Sequence, residues 1–224
     1  MEHSVEFVSN LALAMMVTSL AAVELRSLRL AAYAYLAQAL LMVSILLAVA
    51  LATHSEWLLV WAVVALITKA GLISWLLLTY IRRAGVTREA APYVDFAPSL
   101  LVASVLMIGF YKLTHAQALF LSPAAAPIVE PYRTNLAVAF TLFALGLYGI
   151  ITRRDAIKAV IGLCLLENGV HLSLVSLAPA MPEMPIIGLV TEVFISVWML
   201  LHVISGVQRE FGSTDTAELR TLRG

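Results

Sequence analysis

The chain carries seven apolar runs, at about residues 7–25, 28–52, 57–81, 98–113, 134–152, 156–178 and 185–206. Each is about 16 to 25 residues long, and roughly 20 residues of α-helix cross the ~30 Å of hydrocarbon in a bilayer. Inside hydrocarbon a backbone must satisfy its own hydrogen bonds, so runs of this length are expected as helices. The expected fold is all-α, a polytopic transmembrane helical bundle with seven spans. Composition agrees: 62% hydrophobic and 12% charged residues in a chain of 224 exclude an ordinary soluble domain. The fourth run, APSLLVASVLMIGFYK, is the shortest. Pro98 suits its first helical turn, and Tyr111 and Lys112 suit an interfacial anchor at its end.

Formal net charge is zero, yet the basic residues are unevenly placed. Arg26 and Arg29, then Arg82, Arg83 and Arg88, then Arg153, Arg154 and Lys158, then Arg209, Arg220 and Arg223 all fall on one side of the seven spans. Lys112 and Arg133 fall on the other. This asymmetry predicts a cytoplasmic (inner) membrane protein with its N-terminus outside and its C-terminus in the cytoplasm. Glu2 and Glu6 precede the first span where a signal peptide would carry basic residues, so that span is expected to be retained. Spread over four segments, the basic residues speak for topology and the lipid bilayer, not for a nucleic-acid partner.

Cys164 is the single cysteine and lies inside the sixth span, which excludes a disulfide framework, a CxxC redox pair, an iron–sulfur cluster and a zinc site. There is no Gly-rich phosphate loop, HExxH or GxSxG, and no loop large enough for a catalytic domain. The expectation is a chain with no catalytic residue, no cofactor and no metal, whose redox chemistry, if any is coupled to it, takes place in other subunits.

Polar segments divide the chain. Residues 1–113 hold spans one to four, 114–133 form an external connection rich in proline, 134–206 hold spans five to seven, and 207–224 form a polar cytoplasmic tail. RRAGVTREAAPYVDF, between the third and fourth spans, mixes charge with Pro92 and is expected as a cytoplasmic loop. An internal echo links LRSLRLAAYAYLAQALLMVSILLA with TRRDAIKAVIGLCLLENGVHLSLVSLA: a basic loop leads into a small-residue span with Gln38 or Glu167, and the next span carries Lys69 or Glu192. Repeated units of this kind occur in transporters, and apolar sequences also match one another easily.

Three ionisable residues lie deep in the spans: Lys69 in ALITKAGLIS, Glu167 in CLLENGVHL and Glu192 in GLVTEVFISV. At ~1.5 Å rise per residue, Glu167 is ~16 Å from the cytoplasmic end of its span, Glu192 ~10 Å and Lys69 ~18 Å from the external ends of theirs. All three fall in a middle layer. A charge there is costly, and proteins keep such residues chiefly along proton or ion pathways. Cys164, Glu167 and His171 share one helix face, with Asn168 beside them, and His171 exchanges protons near neutral pH. His202, nearer the cytoplasmic end of the last span, would continue a route to that side. The candidate proton pathway is therefore Glu167, Glu192, Lys69, His171 and His202, with Asn168, Gly162 and Gly169 packing helices or holding water. Plain alternatives stand beside it: an inert interhelical ion pair at Lys69, a histidine bonded to backbone, and Asn168 as helix glue.

These residues carry a family resemblance. GLYGIITRRDAIKAVIGLCLLENGVHLSLVSLA and the span holding Glu192 resemble the three-helix K subunit (NuoK) of complex I over about residues 136–224. Over its whole length, including NLALAMMVTSL, ALITK and the motif GxCLxENGxHL, the chain resembles hydrogenase-4 component E. The resemblance implies a non-catalytic membrane-arm subunit of a group 4 [NiFe] hydrogenase or formate hydrogenlyase type of complex, beside antiporter-like subunits and a quinone-module-like anchor subunit. In the complex I subunit two membrane glutamates help couple redox chemistry to proton movement. Glu192 matches the second; the first falls on Cys164, with Glu167 one turn further along the same face. Two other readings remain: a subunit of a multisubunit cation/proton antiporter, and a non-conducting structural anchor. A retinal-type receptor is disfavoured, because the lysine within the spans sits in the third, not the last.

Overall fold

A computed structural model describes residues 2–85, 88–89, 92–116, 132–177, 195, 197–206 and 208–209. Within these the chain is helical: α1 (Glu2–Glu24), α2 (Leu28–Thr53), α3 (Glu56–Ala84), α4 (Phe96–Ala116), α5 (Tyr132–Thr152), α6 (Ala156–Leu177) and the shorter α7 (Val197–Gly206). Six of them are long and apolar enough to cross a membrane. The third and fourth spans run longer than the apolar pattern marks, because Arg82, Arg83 and Thr114 to Ala116 continue the helices past their apolar cores.

Local signals set the helix ends. Ser27 and Ser55 cap α2 and α3, their side chains accepting from the backbone N–H of Leu30 and Leu58. His54, at φ 51°, takes the left-handed turn that reverses the chain between them, and Gly85, at φ 68°, ends α3. Asp155 caps α6 by accepting from Ile157 N–H at 2.8 Å.

α5 and α6 form the most extensive helix pair. Glycines let their backbones meet: a Cβ on Gly146 would lie 2.6 Å from the Gly162 carbonyl, and one on Gly169 would lie 2.7 Å from the Ala139 carbonyl. Gly162 and Gly169 thus give one face of α6 to α5. The opposite face, with Cys164, Glu167, Asn168 and His171, looks into the bundle formed with α2 and α3. α4 packs chiefly on α5, where Ser99 Oγ and Tyr148 Oη lie 2.6 Å apart, and shows Leu101, Val105 and Ile108 outward.

The apolar core falls into two clusters. One gathers Leu28, Tyr35, Ile73, Leu77, Ile161 and Leu165, and the other Met15, Met42, Leu46, Trp61, Leu142 and Leu172. Between them, on each of three helices, sit the polar residues: Gln38 on α2, Lys69 on α3, and Glu167, Asn168 and His171 on α6. The core is a stack of apolar, polar and apolar layers.

Candidate functional site

Lys69 is the hub of the middle layer. It lies in a π-helical stretch, Leu66–Ile73, within the otherwise α-helical α3. A π segment leaves each carbonyl to seek a partner five residues on, and Ser74 Oγ meets this by donating to the Lys69 carbonyl at 3.2 Å. Such insertions re-aim side chains and concentrate at functional sites. Here the lysine points into α6 with its side chain 2% exposed.

Its ammonium has three protons and three acceptors. Asn168 Oδ1 accepts at 2.6 Å, Glu167 Oε1 lies at 3.1 Å, and His171 Nδ1 takes the third contact. With Lys69 donating to Nδ1, the neutral imidazole carries its own proton on Nε2. His171 Nδ1 is also 3.4 Å from Glu167 Oε1, so lysine, carboxylate and imidazole form a closed triangle. Asn168 holds the triangle to α2 by donating from Nδ2 to Gln38 Oε1 at 2.7 Å. Trp61 meets His171 edge to face, with ring centroids 5.3 Å apart. Glu167 and His171 come from successive turns of α6, and Lys69 reaches them from the neighbouring helix. Three ionisable groups thus lie within hydrogen-bond reach of one another, with apolar layers above and below.

The structure brings together Lys69, Glu167, His171 and Asn168 from the sequence analysis and adds Gln38. Gly162 and Gly169 lie on the other face of α6. His202 lies apart and exposed, with its ring stacked on Trp198 at 6.1 Å. Glu192 lies outside the described residues. No group of three or more His, Cys, Asp and Glu side chains among the described residues converges to hold a metal ion.

A second buried polar cluster was not foreseen. Arg153 pairs with Glu24 at the end of α1, and its Nη1 lies 3.9 Å from Glu89 Oε2. Lys158 Nζ lies 3.8 Å from the same Glu89 oxygen and donates to the carbonyls of Ala22, Val23 and Leu25 at 2.9, 2.9 and 2.6 Å. These are the orphan carbonyls of the α1 C-terminus, so Lys158 works as a cap supplied from another helix. Glu89 comes from the 85–95 connection, which is pinned where Glu89 N–H donates to the Arg26 carbonyl at 2.9 Å. Burial pushes the Glu89 carboxyl upward, with Lys158 and Arg153 pulling the other way. Arg154 lies over the Tyr93 ring at 4.2 Å. By sequence these basic residues mark the cytoplasmic side of the spans and residues 82–96 a cytoplasmic loop; in the structure Arg153, Lys158 and Glu89 are buried.

Comparison with known proteins places the chain. The family described as NADH-ubiquinone/plastoquinone oxidoreductase chain 4L matches residues 134–224. Hydrogenase-4 component E of Escherichia coli is 32% identical over 217 residues, covering 97% of each chain. An uncharacterized protein of Mycobacterium tuberculosis is 31% identical over 72% of this chain and 70% of its own. NADH-quinone oxidoreductase subunit K of Deinococcus radiodurans is 31% identical over 44% of this chain and 99% of its own. No solved structure matches. Six membrane-length helices and agreement from end to end with a curated relative give one conclusion: this multi-pass membrane protein belongs to the hydrogenase-4 component E family.

Proposed function

We propose that the chain is a membrane-arm subunit of a complex-I-related, hydrogenase-type complex, and that it helps move protons in response to redox chemistry in other subunits. Its relatives are named as parts of hydrogenase-4 and of NADH-quinone oxidoreductase, which supports the assembly. The observation that carries the proton role is the triangle of Lys69, Glu167 and His171 between two apolar layers.

The triangle offers a simple exchange. In the observed pairing Lys69 is the donor and Glu167 the acceptor. Passage of a proton from Lys69 Nζ to Glu167 Oε1 neutralises both, and His171 Nδ1 is within reach of each. In a low-dielectric layer, adding or removing one charge alters the proton affinity of its neighbours, so the groups titrate as a unit. Glu192, matched by family resemblance to the second membrane glutamate of subunit K, extends the path in this reading. The chain itself supplies no redox centre; antiporter-like subunits and a quinone-module-like anchor stand beside it in the inner membrane, with its N-terminus outside and its C-terminus in the cytoplasm.

The test is made in the assembled complex. Glu167→Gln and Glu192→Gln should leave hydrogen evolution measurable and reduce proton translocation, and the double variant should lose less than the sum of the singles. Lys69→Met should uncouple in the same way. Normal translocation in a Lys69→Met, Glu167→Gln double variant would reduce the triangle to an inert ion pair and favour the structural-anchor reading.

A further inference from the structure

Away from the middle layer, the C-terminal half of α3, helix α7 and residues 208–209 enclose a groove of about 560 Å³ that opens to the outside of the bundle. Its lining changes character along its length. Along the two helices the order is Trp75 and Trp198, then Tyr80 and His202, then Arg83 and Arg209. Arg83 is eight residues beyond Trp75, or ~12 Å of helix, and Arg209 is eleven residues beyond Trp198. Gln208 holds the two walls together, accepting from Tyr80 Oη at 2.8 Å and donating to the Ala84 carbonyl at 3.0 Å. Asp and Glu are absent from the described lining.

We propose that this groove binds one anionic phospholipid from the leaflet facing the C-terminal end of α3. Charge complementarity selects the ligand. Two guanidinium groups with no carboxylate among the described lining residues suit a phosphodiester, which they engage through paired N–H donors. Indole and tyrosine rings below the arginines match the ester and upper acyl region, where amphipathic aromatic rings settle in membranes. Basic pockets between transmembrane helices hold anionic headgroups for the same reason. A zwitterionic lipid would bring its own ammonium toward Arg83 and Arg209. The volume accommodates a headgroup with the start of an acyl chain, within the ordinary range of ligand sites. Because Gln208 ties the chain beyond α7 to the end of α3, a lipid seated there would brace the end of the bundle.

The two groove tryptophans supply the readout. The full chain, reconstituted in phosphatidylcholine vesicles, is titrated with a small fraction of brominated phosphatidylglycerol or of brominated phosphatidylcholine, and Trp fluorescence quenching is compared. Phosphatidylglycerol should quench more strongly at equal mole fraction, and the excess should vanish in Trp75→Phe, Trp198→Phe. Arg83→Gln and Arg209→Gln should each weaken the anionic preference about fivefold, since a basic residue near the surface contributes on the order of 1 kcal/mol toward anionic lipid. Arg82→Gln, one residue outside the lining, should retain it; an equal loss there would show diffuse surface charge and overturn the site. Equal quenching by both lipids would overturn it as well. Suppression of the excess by millimolar inorganic phosphate would assign the arginines to a free anion, not a lipid. Loss of the excess in the assembled complex, with a neighbouring subunit shielding both tryptophans, would assign the groove to protein contact.

Discussion

Two buried lysines on neighbouring levels of the same bundle have opposite kinds of partner. Lys69, in the middle layer, gives its protons to a carboxylate, an imidazole and an amide. Lys158, at the bundle end, gives its protons to three backbone carbonyls of α1. A carbonyl cannot take up a proton and keep it, so the three hydrogen-bond partners of Lys158 hold its ammonium in place without offering it a proton acceptor, and the Glu89 carboxylate stands back at 3.8 Å. Two of the Lys69 partners can take one up, so its surroundings admit several charge states. Burial is nearly the same for both, which makes partner chemistry the feature that separates an exchangeable site from a fastener.

The largest expected effect follows from removing the fastener. Lys158→Met leaves three carbonyls without their donor and removes a cation from beside buried Glu89, which should cost about 3–5 kcal/mol of stability. Removing both charges of the middle pair in Lys69→Met, Glu167→Gln should cost less, because a neutral pair leaves no uncompensated ion. Thermal denaturation of the detergent-solubilised chain compares the two. If the middle double variant proves as damaging as Lys158→Met, the distinction between the lysines fails.

The middle layer was legible in the sequence because a charge inside an apolar run is itself the signal, and Glu167 and His171 are one helical turn apart. The end cluster was not. Arg153 and Lys158 lie where the positive-inside pattern already expects basic residues, and Arg153 meets Glu24 across 129 residues of sequence. Nothing local marks that pairing. The π segment around Lys69 was hidden for a related reason: an apolar run reads the same whether its carbonyls bond four or five residues on. Gln38 stood out only as part of an internal echo, and its bond to Asn168 depends on how α2 packs against α6. Residues 178–194, including the start of the seventh expected span, lie outside the described residues.

A second prediction moves the middle layer without touching its charges. A Cβ on Gly169 would approach the Ala139 carbonyl and the Phe143 N–H, each at 2.7 Å, so Gly169→Ala must displace α6 from α5 at the level of Asn168. The expected cost is about 1–3 kcal/mol, with a fall in proton translocation by the assembled complex. Gly109→Ala, where a Cβ would meet nothing within 4 Å, should change neither. Equal tolerance at Gly169 would mean that the α5–α6 contact does not position the triangle.

The smallest effect concerns pH at the bundle end. Burial raises the Glu89 carboxyl, so the folded chain holds that proton more tightly than the unfolded chain does. The sign follows from linkage: where the folded state binds more protons, stability falls as pH rises. The Glu89 contribution is therefore fully present below the ordinary glutamate range and is lost as pH climbs from that range through the raised value. Glu89→Gln, which cannot ionise, removes this dependence. The stability of the natural chain relative to the Gln variant should then decline with rising pH across that window, as read from thermal midpoints at matched ionic strength. A difference that instead grew with pH would mean that Arg153 and Lys158 outweigh burial, making Glu89 a conventional ion-pair partner and the bundle end as responsive to charge as the middle layer.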